Sequence, residues 1–149
     1  MIYEELREKG LLEEARPDVR QISLLLSRAR RDIATARTTA SIDREWALTI
    51  VYQGMVRAAK AVVMGEGWRL RGRDPHRTLA LVLGEILGEE RSRLVNTFDR
   101  MRRKRQQFLD ETEAPVSRYE VEGAIKEAQD LVETLTELVH ERHPDLSLV

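Results

Sequence analysis

The stretch Trp46–Gly67, WALTIVYQGMVRAAKAVVMGEG, decides the fold of this chain. Its apolar residues recur at the i, i+3, i+4 and i+7 positions, which lie on one face of an α-helix. They are Ala47, Leu48, Val51, Tyr52, Met55, Ala58, Ala59, Val62 and Val63. The glycines of Gly65-Glu66-Gly67 end the pattern, because glycine is favoured just past a helix C-terminus. The spacing therefore predicts a long helix whose apolar stripe packs against other helices.

Two more helices are predicted before this stretch. A short amphipathic helix is expected between Ile2 and Ala15, ending before Pro17, because proline disfavours the helical conformation of the residue that precedes it. Asp18 is then placed to cap a second helix that runs to about Ala40 with apolar residues along one stripe.

The chain beyond Gly67 alternates between breaks and helical periods. Residues 68–75 are predicted to form a loop, because Gly72 and Pro75 interrupt them. A shorter helix is predicted at His76–Leu87 and a longer one at Glu89–Glu111.

The last helix has the clearest start. Ser117 and Glu120 have the spacing of a capping box, and Val116 and Val121 are placed to close a hydrophobic staple around it. An apolar seam then continues until Pro144 stops it.

No segment has the pattern of a β-strand, so the sequence predicts an all-α fold. Short connections between long amphipathic helices favour an antiparallel up-and-down bundle of four main helices plus short extra helices. We expect one domain over residues 1–149, with a short N-terminal helix in 1–16, the bundle in 18–142 and a tail in 143–149.

The composition narrows the possible chemistry. The chain has no cysteine, which excludes disulfides and thiolate catalysis. Residues 1–10 lack the apolar core of a secretory signal, and no apolar run approaches the ~20 residues that cross a bilayer. We therefore expect a soluble, cytoplasmic protein. Residues 1–105 contain 22 lysines and arginines against 15 acidic residues, whereas residues 106–149 contain 3 against 11, which favours an anionic partner at one face.

One arginine conflicts with the helical pattern of the fifth segment. The apolar spacing 94, 98, 101, 105, 108 requires a hydrophobic residue at 105, and the sequence has Arg105, with Arg102 one turn earlier near the same face. An arginine on an inward stripe needs a partner, because an unpaired buried charge costs several kcal/mol. The partner could be an internal carboxylate, a group at a dimer interface or an anionic ligand such as a phosphate.

Four stretches together resemble a known family. In chain order they are an alanine-rich helix, a turn with a histidine opening the next helix, a basic stretch and a closing helix: WALTIVYQGMVRAAKAVVMGEG (46–67), GWRLRGRDPHRTLALVLGEI (67–86), DRMRRKRQQFLDE (99–111) and SRYEVEGAIKEAQDLVETL (117–135). This order resembles the HEPN domains. The resemblance implies a small helical bundle that forms homodimers and often accompanies nucleotidyltransferases or toxin–antitoxin modules.

The ribonuclease signature of that family is incomplete in this chain. It consists of an arginine, often followed by a polar residue, and a histidine that is separated from the arginine by four to six residues. Arg105 and Gln106 match its start, but Asp110, Glu111 and Thr112 stand where the histidine is expected. Without that imidazole, general acid–base catalysis near neutral pH loses its usual group, so familiar ribonuclease activity is not expected.

The resemblance therefore implies a non-catalytic, homodimeric binding module. Its ligand is expected to be a nucleotide, an RNA or a nucleotidyltransferase or antitoxin partner, held at Arg102, Arg105 and Gln106. Two alternatives stay open. One is a divergent, metal-independent ribonuclease in which Arg105 stabilises charge and Asp110 or Glu111 accepts the proton. The other is a purely structural dimeric interaction protein whose arginines form ion pairs.

A second basic patch lies in and just after the predicted loop. It consists of Arg69, Arg71, Arg73 and His76. It is a secondary candidate for contacts to phosphates. No cofactor is predicted, and no metal site either, because the pair His140 and His143 has no further ligands at a suitable spacing.

Overall fold

Helices dominate the structure, a computed structural model that describes residues 2–110 and 115–144, with the backbone alone at 108–110. The helices are α1 (Ile2–Glu8), α2 (Val19–Thr39), α3 (Arg44–Gly65), α4 (Pro75–Leu87), α5 (Ser92–Asp110) and α6 (Arg118–Arg142). The strands are β1 (Leu12–Glu14) and β2 (Trp68–Leu70), and a 3-10 turn (Glu89–Arg91) precedes α5. The predicted all-α class is confirmed.

Contacts at the two ends of α3 show that it runs parallel to α6. Arg44 at the start of α3 donates a hydrogen bond of 3.4 Å to the carbonyl oxygen of Val116, just before α6. Arg142 near the end of α6 pairs with Glu66, which follows α3. The loop between α2 and α3 is short, so those two helices form an antiparallel hairpin. Helix α3 packs against both α2 and α6 and is the central helix of the bundle.

Helix α5 runs antiparallel to α6. Arg93 lies 2.6 Å from Asp130, and Lys104 lies 3.5 Å from Glu120, so residue numbers rise on one helix as they fall on the other. The long helices α2, α3, α5 and α6 therefore alternate in direction, which is the predicted up-and-down bundle. The shorter α1 and α4 are the extra helices.

The predicted helix starts agree with the observed caps. The Asp18 carboxylate accepts a hydrogen bond of 3.1 Å from the Gln21 backbone N–H at the start of α2. The Ser117 hydroxyl oxygen accepts one of 3.0 Å from the Glu120 N–H at the start of α6. Each cap satisfies a backbone donor that the first helical turn leaves without a partner.

The prediction that no segment forms a strand is wrong. Strands β1 and β2 pair antiparallel, with Leu12 opposite Leu70 and Glu14 opposite Trp68. The expected helix over 1–16 ends instead at Glu8, where Gly10 takes a positive φ of 74° and turns the chain. Three-residue strands are too short for alternation to be recognised, and this pair forms only because the fold brings distant segments together.

The core is centred on α3, most of whose residues are buried. By length and composition α3 also resembles a membrane-spanning helix, but 67% of its most apolar window is buried within the bundle. At its middle, Gly54 allows a close approach of α2. A Cβ there would lie 3.2 Å from the Ala29 carbonyl oxygen and from the Asp32 Cβ. This approach places Asp32, only 8% exposed, 2.5 Å from the guanidinium of Arg57.

Candidate functional site

The site is built around Tyr52, a core residue of α3 that is 1% exposed. Its hydroxyl oxygen lies 2.9 Å from Nδ1 of His76 in the first turn of α4, within hydrogen-bond distance. The start of α4 is fixed locally: the Asp74 carboxylate accepts from the Arg77 N–H at 3.2 Å, and Pro75 occupies the first helical turn. Tyr52 therefore connects the centre of the core to the protein surface at His76.

Arg105 of α5 covers the other side of Tyr52. Its guanidinium carbon lies 5.9 Å from the centre of the Tyr52 ring, in the range of a cation–π contact, and its side chain is half-buried. No ion pair to Arg105 forms within the residues that the structure describes. The expected position on the inward stripe is therefore approximate: Phe98 and Met101 are buried, whereas Arg105 lies at the edge of the core over an aromatic face.

Arg102, by contrast, has a carboxylate partner. Its guanidinium lies 2.9 Å from Asp99 on the same helix, and Arg103 lies 3.5 Å from that carboxylate as well. Arg102 keeps 27% of its side chain exposed. One carboxylate shared by two arginines leaves this turn of α5 with a net positive charge.

A cleft of about 630 Å³ separates the end of α5 from the start of α4. Its lining residues are Arg73, Asp74, Pro75, His76, Arg102, Arg103, Arg105, Gln106 and Gln107. Arg102, Arg105 and Gln106, predicted as one site, thus lie in the same cleft. The structure also brings Arg73 and His76, predicted as part of a separate patch, into this cleft.

The remaining residues of the secondary patch lie elsewhere. Arg69 and Arg71, on and beside β2, both pair with Glu13 of β1. Hydrogen bonds from Arg71 and then Arg69 lower the pKa of the exposed Glu13 carboxyl from about 4.5 to about 2. Arg69 and Arg71 therefore pair with a carboxylate across the sheet, and of the four residues of the predicted patch only Arg73 and His76 line the cleft.

Burial and charge act together on the cleft's titratable groups. Burial lowers the pKa of His76, and the nearby cations Arg105 and Lys60 lower it further, while Asp74 opposes them. Burial raises the pKa of Tyr52 well above its ordinary value of 10, against the influence of Arg105 and Arg102. The phenol and the imidazole are therefore both neutral near pH 7.

The structure does not describe the side chains of Asp110 and Glu111, the two carboxylates of the alternative in which the chain is a divergent ribonuclease. Asp110 is the last residue of α5, but its side chain and the whole of Glu111 lie outside the described residues. Over residues 2–110 and 115–144, no cluster of three or more His, Asp or Glu side chains is placed to hold a metal ion.

Tyr52 is the buried residue of this site that the sequence did not predict, and the lining residues Asp74, Pro75, Arg103 and Gln107 were not predicted as site residues either. The position of Tyr52 on the apolar stripe of α3 identifies it only as a core residue, and no sequence spacing relates it to His76 or Arg105. The buried hydroxyl is the one available signal, because a buried tyrosine oxygen usually has a hydrogen-bond partner.

A larger groove, of about 880 Å³, lies between α2, α3 and α6. Three of its arginines already have partners: Arg37 donates to Gln129, Arg118 pairs with Glu122, and Arg44 donates to a backbone carbonyl. We therefore place the candidate site in the smaller α4–α5 cleft, where Arg105 has an aromatic neighbour and no carboxylate among the described residues.

Comparison with known protein families identifies the helical bundle that contains the cleft. The model of the HEPN domain matches residues 22–139, well over half of the chain, from the first turn of α2 to the last turns of α6. The match includes both walls of the cleft. No protein with curated annotation matches the chain. The chain belongs to the HEPN domain family.

Proposed function

We propose that this HEPN domain is a non-catalytic module that binds the phosphates of RNA or of a nucleotide in the α4–α5 cleft. A function related to nucleotides or RNA is common in the family. The proposal rests on the environment of Arg105. Its side chain is half-buried, its guanidinium lies over the Tyr52 ring, and it forms no ion pair within the described residues.

Tyr52 supports Arg105 without using the hydrogen-bond donors of its guanidinium. The contact is a cation–π contact and not a hydrogen bond, and within the described residues the Arg105 guanidinium donates no hydrogen bond that would compete with a ligand. A phosphate offers oxygens at the spacing of two such donors. Arg102 and Arg73 on the walls add positive charge that attracts the anion into the cleft.

The absence of catalysis in this proposal rests on the sequence. The positions where ribonucleases of the family have their histidine are Asp110, Glu111 and Thr112. A carboxylate is a weaker proton acceptor near pH 7 than an imidazole, since its usual pKa is near 4. Binding of RNA without cleavage is the activity that these residues support.

We also propose that two copies of the chain associate so that the second closes the open side of the cleft. The homodimerisation that the resemblance to the family implies, and the position of the cleft at the protein surface, support this arrangement. A nucleotidyltransferase or antitoxin is the proposed protein partner, and the cytoplasm the proposed location.

The test is binding of a fluorescently labelled single-stranded RNA to Arg105→Ala, Arg102→Ala and a matched control, Arg20→Ala, an exposed arginine of α2 outside the cleft. Losing charge-assisted hydrogen bonds should weaken binding about tenfold or more in the two cleft variants. Arg20→Ala should bind like the wild type. Equal binding by Arg105→Ala and Arg20→Ala would exclude this cleft as the site.

Two further measurements, one of them on an additional variant, Asp110→Ala, separate the two alternatives. RNA cleavage by the wild type that disappears in Asp110→Ala would replace the binding module with the divergent ribonuclease. Loss of the dimer in Arg105→Ala, measured by analytical ultracentrifugation, together with no binding to RNA or nucleotide, would replace it with the structural interaction protein.

A further inference from the structure

We propose that His76 is a further ligand of the bound phosphate, through its Nε2, and that Tyr52 is the residue that positions it. This inference rests on the proposed function, and it adds to the arginine site a group that takes up a proton when the anion binds.

The geometry leaves one imidazole nitrogen for the ligand. Nδ1 of His76 lies 2.9 Å from the hydroxyl oxygen of the buried Tyr52, which fixes the plane of the ring. Nε2 makes no hydrogen bond to any residue in the described part of the chain. Because His76 lines the same cleft as Arg102 and Arg105, the nitrogen that Tyr52 does not use is the one available to an anion there.

The charges around His76 oppose its protonation when the cleft is empty. Arg105 and Arg102 face it from α5, Lys60 faces it from α3, and Asp74 precedes it at the start of α4. Three cations against one carboxylate disfavour an imidazolium. In the neutral ring, Nδ1 either accepts a hydrogen bond from the Tyr52 hydroxyl or donates one to its oxygen, depending on the tautomer.

A bound oxyanion reverses this balance. It compensates the charge of the two arginines and offers an oxygen to a protonated Nε2, so the pKa of His76 must rise on binding. By linkage, a group whose pKa rises in the complex makes binding tighter at lower pH. The cleft is therefore expected to bind phosphates more tightly at pH 6 than at pH 8.

The direct test uses the wild-type protein and a short single-stranded oligouridylate without terminal phosphates, whose diesters do not titrate in this range. The pKa values of the three histidines are measured by NMR with and without the RNA. The pKa of His76 should rise by about one pH unit or more in the complex, and those of His140 and His143 should stay unchanged. Bound RNA with an unchanged His76 would overturn the inference alone, whereas no binding at any pH would overturn the proposed function with it.

Variants give a second readout. His76→Gln retains a polar group near the position of Nε2 but cannot titrate, so its affinity should lose the increase between pH 8 and pH 6. At pH 6 it should bind several-fold more weakly than the wild type. His140→Gln, at an exposed position of α6, is the matched control and should keep the wild-type profile. A His76→Gln variant with the wild-type pH dependence contradicts the proposal.

The positioning role of Tyr52 has its own variant. Tyr52→Phe keeps the aromatic face beneath Arg105 and removes only the hydroxyl that contacts His76. The ratio of the RNA affinities at pH 6 and pH 8 should change, because Nδ1 of His76 loses its partner. An equal loss of affinity at pH 6 and pH 8, with the ratio unchanged, would show that the hydroxyl acts only on the fold.

Discussion

Tyr52 joins three helices through one side chain. Its hydroxyl contacts His76 of α4, and its ring packs 5.5 Å from that of Phe98 in α5 and beneath Arg105. Because the residue is almost fully buried, these contacts hold the functional groups against a rigid core. A binding site attached in this way needs little reordering when a ligand arrives, which preserves affinity.

An ion pair that the sequence did not indicate joins the buried Asp32 to Arg57. Asp32 of α2 is 8% exposed and lies 2.5 Å from Arg57 of α3. We predict that Asp32→Ala lowers the free energy of unfolding by about 2 kcal/mol, because it leaves Arg57 half-buried without its partner. Urea denaturation measures the change. The control is Asp130→Ala, which breaks the exposed pair with Arg93 and should cost less than about 1 kcal/mol. Equal losses in the two variants would contradict the prediction.

A second prediction concerns Glu13, whose pKa is about 2 because Arg71 and Arg69 donate to it. A carboxyl whose pKa is depressed in the fold stabilises the fold above its unfolded pKa of about 4.5, and this contribution is lost as the pH falls towards 2. NMR titration of the Glu13 carboxyl should give a pKa near 2 in the wild type and a value closer to 4.5 in Arg71→Ala. An unshifted value in the wild type would show that the pairs with β2 do not form in solution.

At the scale of elements, the long helices were predictable and the strands were not. Sustained helical periods and two side-chain caps, Asp18 and Ser117, identify α2 and α6 from local sequence alone. Strands β1 and β2 pair with each other although more than fifty residues separate them, and neither strand has an alternating pattern in the sequence.

The candidate site also has a part that the sequence predicts and a part that it does not. The arginines of α5 stand out because they interrupt an apolar stripe, whereas the contact of Tyr52 with His76 depends on how α3 and α4 pack.

The packing of α2 on α3 leads to a prediction about Gly54. A Cβ at this position would lie 3.2 Å from a backbone oxygen and from two side-chain atoms of α2. The helix propensity of alanine favours Gly54→Ala by about 1 kcal/mol, but displacing α2 costs about 1–3 kcal/mol. We expect net destabilisation in thermal or urea unfolding. Gly123→Ala, on the exposed face of α6 with nothing within 4 Å of the added Cβ, should stabilise the protein instead. A stabilised Gly54→Ala variant would mean that α2 moves at little cost.

At the scale of the whole molecule, charge is distributed unevenly although the formal net charge is −1. The cleft between α4 and α5 collects four arginines, whereas the last helix has acidic residues along its exposed face. Such a distribution attracts a polyanion to one part of the surface and leaves the molecule close to neutral. A ligand with several phosphates would approach from the side of the cleft.

This charge distribution predicts how RNA binding depends on salt. If Arg73, Arg102 and Arg105 each neutralise one phosphate, the logarithm of the association constant for single-stranded RNA should fall with the logarithm of salt concentration with a slope of about −2. Removing Arg105 should make the slope shallower by about 0.7. Titrations at several salt concentrations measure both slopes. A slope near zero would indicate that the cleft recognises something other than a phosphate backbone.

The two walls of the cleft are the far ends of one helical hairpin. Gly88, which has a φ of 71°, and the 3-10 turn Glu89–Arg91 join α4 to α5, and His76 and Arg105 lie at the opposite end of the two helices. That end is about 18 Å away along α4, given the rise of a helix. A change of roughly 5° in the angle between the helices would therefore move one wall by about 1.5 Å. The backbone conformation at Gly88 therefore sets the separation of the two walls of the cleft, although this residue lies at the other end of the hairpin.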